Sequence, residues 1–326
     1  MRILVTGGAG YVGSHCVRAL LRTGHEVWVY DNLSCGHRQA VPSASLIEGD
    51  LANADLLRST MEHTQAEAVV HFAAVAEVGE SVVNPAKYYA NNVIGTLNLL
   101  NAMRSADVRR IVFSSTTATY GEPERVPIPE DEPQRPISPY GFTKLVIERA
   151  LEDYARAYGF GYAALRYFNA AGASPDGDIG EDHKPESHLI PITLQVALGQ
   201  RSEITVFGDD YPTPDGTCIR DYVHVDDLAD AHLRALDRLL DGQGIKVNLG
   251  SGNGYSVREV IDACRKVSGH AIPIRLGQRR PGDPPRLIAD SSRAQRELGW
   301  QPRYRDIESI VATAWRWHST HPNGYE

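Results

Sequence analysis

The residues best suited to chemistry in this sequence are a phenol and an ammonium, Tyr140 and Lys144, in the segment SPYGFTK at 138–144. Residues four apart on a helix share one face. A phenol with a pKa of about 10 is a poor base at neutral pH, but a cation beside it favours the phenolate. Tyr140 is therefore a candidate proton carrier at an alcohol or sugar carbon. Taken alone, the same spacing is also that of an ordinary exposed helix pair.

A glycine-rich segment near the start of the chain supplies the second part of a site. Gly7, Gly10 and Gly13 follow an apolar run at 3–6 and precede a predicted helix. In a dinucleotide-binding loop, glycine residues at such places permit a tight turn, approach of the backbone to a pyrophosphate, and close packing of helix and strand. The segment therefore predicts a bound dinucleotide.

Acidic residues after the next two strands refine this prediction. Asp31 ends the second apolar run, where an acid would bind the adenosine ribose hydroxyls, and no Arg stands beside it. The carboxylate favours NAD over NADP, because a 2'-phosphate would meet a like charge. Asp50 and Leu51 follow the third strand and could present a carboxylate and an apolar wall to adenine, although Asp50 could instead cap a helix.

The order of the apolar runs predicts the fold that positions these residues. Short β-branched runs alternate with helical periods at 3–6, 26–30, 68–72, 110–114 and 161–167. Such alternation is typical of an α/β fold with a Rossmann-type doubly wound parallel sheet. We expect an NAD-binding domain at 1–170 and a smaller C-terminal α/β substrate lobe at 171–326, with part of 218–250 returning to the first domain. Helices are predicted at 189–198, 225–240 and 257–267, and strands at 203–207 and 246–249.

Composition excludes several classes of protein. A net charge of -8 and a pI near 5.8 argue against binding to nucleic acid or to an anionic membrane. No apolar run approaches the roughly 20 residues that span a bilayer, so we expect a cytoplasmic protein. The four cysteines are scattered singly, without metal or disulfide spacing. The pairs Asp209-Asp210 and Asp226-Asp227 lack His or Glu companions, so no metal site is predicted; the second pair is interpreted as helix capping.

Further segments with distinctive patterns run almost from end to end of the chain. They are Asp31-Asn32-Leu33, His71-Phe72-Ala73-Ala74, Val78-Gly79-Glu80-Ser81, Tyr88-Tyr89-Ala90-Asn91-Asn92, Leu165-Arg166-Tyr167-Phe168-Asn169, Gly180-Glu181-Asp182, the block from Gly208 to Thr217, Arg220-Asp221-Tyr222-Val223-His224-Val225, and Arg280-Pro281-Gly282-Asp283. Together with the glycine loop and the Tyr/Lys pair, they resemble the UDP-glucose 4-epimerases of the extended short-chain dehydrogenase/reductase superfamily. The glycine loop and the pair mark only the superfamily, whereas the segments at 211–222 and 280–283 are far more selective.

The resemblance implies an isomerase of galactose and carbohydrate metabolism that interconverts UDP-glucose and UDP-galactose at C4. It implies a 4-keto intermediate, tightly bound NAD, and a homodimer formed by helices near 84–103 and 137–158. The family's catalytic tyrosine and lysine match Tyr140 and Lys144, and its hydroxyl partner, usually Ser, matches Thr116. Arg220 and Arg280 would grip the diphosphate, since a planar guanidinium can hold phosphate oxygens at two points.

The resemblance also implies the other site residues. Cofactor positions match Gly7, Gly10, Tyr11, Val12, Gly13, Asp31, Asn32, Asp50, Leu51, Phe72, Ala73, Ala74, Asn91, Ser114, Tyr140, Lys144 and Tyr167. UDP-sugar positions match Thr116, Tyr140, Phe168, Asn169, His188, Leu189, Val206, Phe207, Arg220, Tyr222, Arg280 and Asp283.

Four positions depart from the family's pattern. Ala76 stands where some members carry Lys, which removes one possible cation from the cofactor site. Thr116 keeps the hydroxyl of Ser but adds a methyl group. His188 replaces an Asn that often contacts the nucleotide. Leu287 is intermediate in bulk at a position that tunes acceptance of N-acetylated sugars, so hexosamine activity stays open.

Several alternative functions remain at this point. A sibling epimerase acting on UDP-xylose and UDP-arabinose shares most of these segments. A 4,6-dehydratase would need an acid/base carboxylate pair where Thr117 and Ala118 stand, and a decarboxylase or a net dehydrogenase would consume or release the cofactor. A catalytically silent NAD-binding regulator would need none of Tyr140, Lys144 and Thr116.

Overall fold

The β-branched runs of the first half form one parallel sheet with helices on both faces. The computed structural model describes residues 1–280 and 283–326. Its strands are β1 (Arg2–Thr6), β2 (Glu26–Asp31), β3 (Leu46–Glu48), β4 (Ala68–His71), β5 (Arg110–Thr116), β6 (Gly161–Tyr167), β7 (Asn169–Ala171), β8 (Ile204–Phe207), β9 (Ile219–His224), β10 (Gly244–Leu249), β11 (Gly254–Ser256), β12 (Ile274–Gly277) and β13 (Arg286–Leu287).

The helices alternate with these strands in the first half and cluster in the second. They are α1 (Tyr11–Arg22), α2 (Ala54–Thr64), α3 (Val78–Val83), α4 (Pro85–Tyr88), α5 (Gly95–Ser105), α6 (Pro139–Tyr158), α7 (Leu189–Ala197), α8 (Val225–Arg238), α9 (Val257–Ser268), α10 (Ser292–Leu298) and α11 (Ile307–Thr320). A π-helical segment, Tyr89–Ile94, joins α4 to α5. Among the described residues, no helix combines the length and apolar character needed to cross a bilayer.

The large sheet has the order β10-β6-β5-β4-β1-β2-β3, and all its pairings are parallel. The order reverses between β1 and β4, and in open α/β sheets ligands bind at such a switch point, beyond the carboxyl ends of the strands. Val5 of β1 and Val70 of β4 are fully buried, as expected for strands covered on both faces. The Rossmann-type fold predicted from the sequence is confirmed.

Helix α6 carries the Tyr/Lys pair, and local sequence signals explain its length. Ser138 caps it by accepting from the Gly141 N–H, Pro139 occupies the first turn, and Gly159 ends it in the left-handed conformation. Ile147 and Leu151 bury one face of the helix against the large sheet. This packing fixes the orientation of Lys144, one turn earlier on the helix, and of Tyr140, two turns earlier.

A second group of strands builds the smaller lobe. β9 pairs with β7, β11 and β13, and β8 pairs with β12. Helices α7, α9 and α11 pack together over a separate apolar core. β10 lies at the edge of the large sheet and α8 packs against α1, so the chain returns to the first group of elements after β9.

The first turn of α8 corrects one expectation. Asp226 and Asp227 do not cap the helix, because His224 is the N-cap residue and its ring accepts from the Asp226 N–H. The Asp226 carboxylate instead lies 2.7 Å from Nδ1 of His15 on α1, and Asp227 accepts backbone N–H groups near Arg303. The two carboxylates therefore join helices and loops rather than terminate a helix.

Candidate active site

The predicted catalytic residues meet at the carboxyl end of β5. Thr116 is the last residue of this strand and is buried, and its hydroxyl hydrogen-bonds with the phenol of Tyr140. Lys144 is buried as well, and its Nζ lies 6.0 Å from the centre of the Tyr140 ring. The structure thus brings the phenol, the hydroxyl and the ammonium together.

Burial dominates the ionisation of this group. It raises the pKa of Tyr140 to about 12, while the hydrogen bond with Thr116 lowers it and the charge of Glu77 raises it further. Burial lowers the pKa of Lys144 to about 7, against the opposing charge of Glu148. The expected depression of the phenol pKa by Lys144 is not produced by the protein's own groups, because desolvation of the phenolate outweighs it.

A buried ion pair supports the lysine from the next turn of α6. Glu148 is fully buried, accepts from Arg166 at 2.9 and 2.6 Å, and accepts from the Ser115 hydroxyl at 2.5 Å. Glu148 and Arg166 were not predicted as site residues. Glu148 stands four residues after Lys144, and that spacing alone was a sequence signal for a shared helix face.

The glycine loop follows β1, at the same end of the parallel sheet as Thr116 at the end of β5. A Cβ at Gly7, whose φ is +70°, would lie 2.4 Å from the Ala73 nitrogen, and one at Gly13 would lie 2.2 Å from the Gly7 oxygen. At Gly10 an added Cβ would meet nothing closer than 3.4 Å. The protein itself therefore needs glycine at positions 7 and 13, whereas a Cβ at Gly10 would make only an ordinary contact. Gly10 stands at the start of α1, which has no side-chain cap and no acid in its first turn.

The residues predicted on the adenosine side lie at or just after the ends of β2 and β3, which are neighbours in the large sheet. Asp31 accepts from the Ala9 N–H and the Leu33 N–H, both at 2.9 Å, and is 7% exposed. Burial raises its pKa above the ordinary value, and these two hydrogen bonds oppose the shift. Asn32 donates to the Asp50 carboxylate at 2.7 Å. Leu51 is buried in the core and packs beneath Gly95 rather than forming an open wall.

Asp50 and Tyr11 each have a definite structural partner. Asp50 does not cap α2, because Asn53 does so, and the Asp50 carboxylate accepts instead from the Ala52 N–H at 2.8 Å. The hydroxyl of Tyr11 donates to the Gly172 carbonyl at 2.6 Å and so joins α1 to the segment after β7. Val12 is half-buried in the same turn.

Residues predicted around the nicotinamide line the ends of β4, β5 and β6. Phe72 lies against His232, with ring centres 4.6 Å apart, and Ala73 and Ala74 follow it half-buried. The hydroxyls of Ser114 and Tyr167 are 2.6 Å apart.

Asn91 is half-buried, and its amide donates to Asn92. Asn92 is fully buried and bonds both the nitrogen and the carbonyl of Val75. Asn92 therefore anchors the loop after β4 and was missed by the sequence analysis.

The predicted diphosphate arginines have protein partners. Arg220 donates to the Asp283 carboxylate, and its side chain is 14% exposed. The guanidinium of Arg280 lies 4.2 Å from the centre of the Phe207 ring. Arg280 and Asp283 line a cavity of about 600 Å³ together with Tyr211. Residues 281 and 282, which complete this predicted segment, lie outside the described residues.

Of the remaining predicted substrate residues, Phe168 and Asn169 lie where β6 passes into β7, and Val206 lies on β8. Asn169 donates to the Asp221 carbonyl at 2.9 Å and pairs with Tyr222 across β7 and β9. Phe168 is half-buried between β6 and β7. The side chain of Val206 is 1% exposed and lies in the core of the smaller lobe, so a contact of Val206 with a ligand would come from its backbone.

Helix α7 begins immediately after His188, which stands at its N-cap without a side-chain cap bond. Nδ1 of His188 lies 2.5 Å from the Glu181 carboxylate, and Leu189 is half-buried in the first turn. The ring of His188 therefore has a carboxylate partner on one nitrogen already.

Two positions that depart from the family's pattern, Ala76 and Thr116, lie in the loop after β4 and at the end of β5, respectively. Ala76 is exposed beside Glu77, whose carboxylate accepts from the Ser187 hydroxyl at 2.9 Å. Thr117 and Ala118 follow Thr116 in a short 3₁₀ turn and bring no carboxylate to the phenol. The carboxylate pair that a dehydratase would place there is therefore missing from these positions.

The fold and site define a class of NAD-linked sugar-nucleotide enzymes, and comparison with known proteins agrees. The model of the NAD dependent epimerase/dehydratase family matches residues 3–250. The chain belongs to this family.

Individual relatives narrow the comparison. A curated UDP-glucose 4-epimerase from Halalkalibacterium halodurans is 56% identical, over 100% of this chain and 98% of its own. The structure of a UDP-glucose 4-epimerase from Brucella ovis in complex with NAD is 50% identical, with a TM-score of 0.93 over 96% of this chain and 97% of the other. A second structure, of the UDP-glucose 4-epimerase from Bifidobacterium longum in complex with NAD+ and UDP, is 39% identical to this chain. Its TM-score is 0.94 over 99% of both chains.

Proposed function

We propose that this chain is an isomerase that interconverts UDP-glucose and UDP-galactose by inverting C4 of the hexose, with NAD as its retained cofactor. The observation that carries this proposal is the meeting of Tyr140, Thr116 and Lys144 at the sheet edge that also presents the glycine loop. The relative from Halalkalibacterium halodurans and the two structures from Brucella ovis and Bifidobacterium longum bear the name UDP-glucose 4-epimerase, and both structures hold NAD.

The cofactor-binding role is divided among the elements around the switch point. Gly10 and the start of α1 would hold the pyrophosphate, Asp31 the adenosine ribose, and Phe72 and Ser114 the nicotinamide half. Bound NAD+ supplies a hydride acceptor for C4, a donor for the return step, and a positive charge that favours the phenolate.

The protein's own chemistry is the handling of one proton. Tyr140 takes the proton of the C4 hydroxyl as the 4-keto sugar forms and returns it after the sugar has turned. Thr116 hydrogen-bonds the phenol and lowers its pKa. When protonated, Lys144 would place a charge 6.0 Å from the ring centre, where it would favour the phenolate electrostatically.

Inversion requires that the nucleotide stays fixed while the sugar rotates. Arg220 and Arg280 are placed to hold the diphosphate, with Tyr222 and Asp283 near the nucleotide, so the keto sugar would turn about its phosphate linkage. Asn169 and Phe168 follow β6 directly and would face the sugar. Residues 1–170 would form the NAD-binding domain and 171–326 the UDP-sugar lobe, with β10 and α8 packed on the first domain.

Incubation with UDP-galactose and no added NAD, followed by chromatographic separation of UDP-glucose, tests the proposal. We expect conversion by the purified protein and about one NAD per chain released on denaturation. Tyr140→Phe should lower turnover by about 10²–10⁴-fold, the usual contribution of a positioned proton carrier, while NAD content is retained. Tyr158→Phe, an exposed tyrosine on the same helix, is the matched control.

The alternatives give different results in the same assay. Conversion of UDP-xylose but not UDP-galactose would support the pentose epimerase. Binding of NAD without turnover of any UDP-sugar would support the silent regulator. An active Tyr140→Phe variant would refute the assignment of the phenol.

We also propose that two copies of the chain associate through α5, α6 and the π-helical segment before α5. Ile94 and Leu97 are 56% and 37% exposed, and Phe142 and Tyr158 on α6 are 45% and 42% exposed. Large apolar side chains gathered on neighbouring helices favour a self-complementary helical interface.

We propose that the protein is located in the cytoplasm, a reducing compartment, because its four cysteines are free thiols. Cys16, Cys218 and Cys264 are buried thiols, and Cys35 is an exposed one. Free thiols of this kind are typical of proteins kept in a reducing compartment.

A further inference from the structure

Two imidazoles and two carboxylates converge in the segment before α7. Glu181, His183, Glu186 and His188 each offer one ligand atom, and these four atoms all lie within 4.8 Å of one another. The Glu181 and Glu186 side chains are each only 3% exposed. None of the four was assigned a metal-binding role from the sequence, where only the cysteines and the paired aspartates were weighed as metal ligands.

The separations of these ligand atoms, from 2.5 to 3.9 Å, bracket those of a tetrahedral site, so the hydrogen bond between His188 and Glu181 must lengthen to admit an ion. Nδ1 of His183 lies 3.1 Å from a Glu181 oxygen, and Nδ1 of His188 lies 2.5 Å from the same oxygen. Glu186 oxygens lie 3.9 Å from Nδ1 of His183 and 3.5 Å from Nδ1 of His188. Ligand bonds of about 2.0–2.2 Å to Zn²⁺ in tetrahedral geometry place neighbouring ligand atoms slightly more than 3 Å apart.

Hydrogen bonds leave the second carboxylate one oxygen for a ligand. Oε1 of Glu186 accepts from the backbone N–H groups of Ser187 and His188, both at 2.8 Å. Its Oε2 has no such partner and is the atom nearest His183. These backbone bonds orient the carboxylate toward the imidazoles, as outer-shell bonds orient metal ligands.

We propose that Glu181, His183, Glu186 and His188 bind one divalent transition-metal ion, of which Zn²⁺ is the best match. Imidazole and carboxylate ligands in a four-coordinate set suit Zn²⁺, whereas Ca²⁺ and Mg²⁺ take oxygen ligands in larger numbers or with octahedral geometry. Four protein ligands leave no open position for a substrate, so the site is structural rather than catalytic.

The position of the cluster gives the ion a role in shaping the cleft. The Glu181 carbonyl accepts from the Trp317 indole at 3.0 Å, which anchors the start of the segment to α11. His188, at its other end, is the N-cap of α7. An ion bound by both ends would hold the eight-residue segment 181–188 in one conformation and would leave Nε2 of His188 free to donate to a nucleotide.

Metal content and zinc titration test this site without any dependence on turnover. The full-length protein is treated with EDTA, freed of chelator, and titrated with Zn²⁺ against a chromophoric competitor. We expect one high-affinity Zn²⁺ per chain, at or tighter than about micromolar, as structural zinc sites show. We also expect Zn²⁺ but not Ca²⁺ to raise the melting temperature.

Two single variants and a matched control identify the ligands. His183→Gln and Glu186→Gln should each weaken Zn²⁺ binding by at least about 10–100-fold, the loss that even an outer-shell partner causes. His270→Gln, an exposed histidine elsewhere in the lobe, should keep one equivalent. X-ray absorption of the wild-type zinc protein should show a four-coordinate shell of nitrogen and oxygen at about 2.0–2.2 Å with no sulfur.

Three results would overturn the proposal. They are the absence of a one-to-one zinc equivalent in wild-type protein, unchanged affinity in both cluster variants, or a sulfur-containing shell. In the first case the imidazoles and carboxylates form an ion-pair network alone. A failure of the epimerase assay would leave each of these readouts unaffected.

Discussion

The ammonium of Lys144 donates to the backbone carbonyl of Ser114 at 2.9 Å. This bond attaches the charge to β5 rather than to the phenol oxygen of Tyr140. Nζ also lies 4.8 Å from the centre of the Phe113 ring, so its surroundings are apolar on one side. When protonated, Lys144 therefore acts on the tyrosine as a charge held by β5, and the hydroxyl that lowers the pKa of the phenol belongs to Thr116.

The first prediction concerns the pH dependence of turnover in Thr116→Val. Burial raises the pKa of Tyr140, and the Thr116 hydrogen bond lowers it. Removal of the hydroxyl must therefore raise the phenol pKa further, so the rise of kcat/KM with pH should move to higher pH. Thr116→Ser should keep the wild-type profile. An unshifted profile in the valine variant would show that Thr116 does not tune the phenol.

The second prediction separates the two kinds of glycine in the loop. An added Cβ at Gly13 lies 2.2 Å from a backbone oxygen, whereas one at Gly10 would meet the Gly7 oxygen at 3.4 Å, an ordinary van der Waals contact. Gly13→Ala should lower the free energy of unfolding by about 1–3 kcal/mol through overpacking. Gly10→Ala should change that free energy little but should lose NAD. Urea unfolding and the NAD content of the purified variants measure both effects, and full NAD retention in Gly10→Ala would contradict the assigned pyrophosphate position.

The third prediction concerns the ion pair of Glu148 and Arg166. Glu148→Leu leaves a buried guanidinium without its carboxylate and should lower the free energy of unfolding by about 3–5 kcal/mol. The double variant Glu148→Leu/Arg166→Met should be less destabilised than the single one, because no buried charge is left unpaired. Asp230→Ala, which breaks an exposed pair with Arg234, should cost about 0.2–1 kcal/mol. Urea unfolding of the wild type and the three variants measures these free energies. A double variant with a lower free energy of unfolding than Glu148→Leu would refute this account.

The fourth prediction concerns self-association. Ile94→Asp and Leu97→Asp place charges on the proposed helical interface and should convert dimers to monomers in sedimentation experiments. Leu240→Asp changes a side chain that is 57% exposed outside these helices and should leave the association state unchanged. Wild-type protein that sediments as a monomer would remove the basis of the proposal.

The large sheet could be predicted from the sequence because its strands are apolar on both faces. The run at 161–167, for example, reproduces β6 with the same bounds. The short strands β7, β11 and β13 could not be predicted in this way, since two or three residues carry no measurable period. Their existence depends on pairing with β9, which only the tertiary fold brings about.

The candidate site was predictable where a local pattern reflects a local structure. Tyr140 and Lys144 share helix α6, so their four-residue spacing was enough to predict that they lie on one face. The bond between Arg220 and Asp283 joins residues 63 positions apart, and no local pattern encodes it. The acidic and imidazole residues at 181–188 did carry a local signal, Glu-x-His-x-x-Glu-x-His, that the search for paired aspartates overlooked.

The pairing of Arg220 with Asp283 has a consequence for the thermodynamics of ligand capture. The Arg220 guanidinium already has the Asp283 carboxylate as its counterion. A diphosphate must therefore displace this carboxylate, or bind the guanidinium beside it, and does not only replace bound water. When the diphosphate binds, it replaces or joins the Asp283 carboxylate as the counterion of Arg220. Fewer dissolved anions are displaced than if Arg220 had no carboxylate partner. The affinity for a nucleotide diphosphate should therefore fall less steeply with ionic strength than the two arginines alone would suggest.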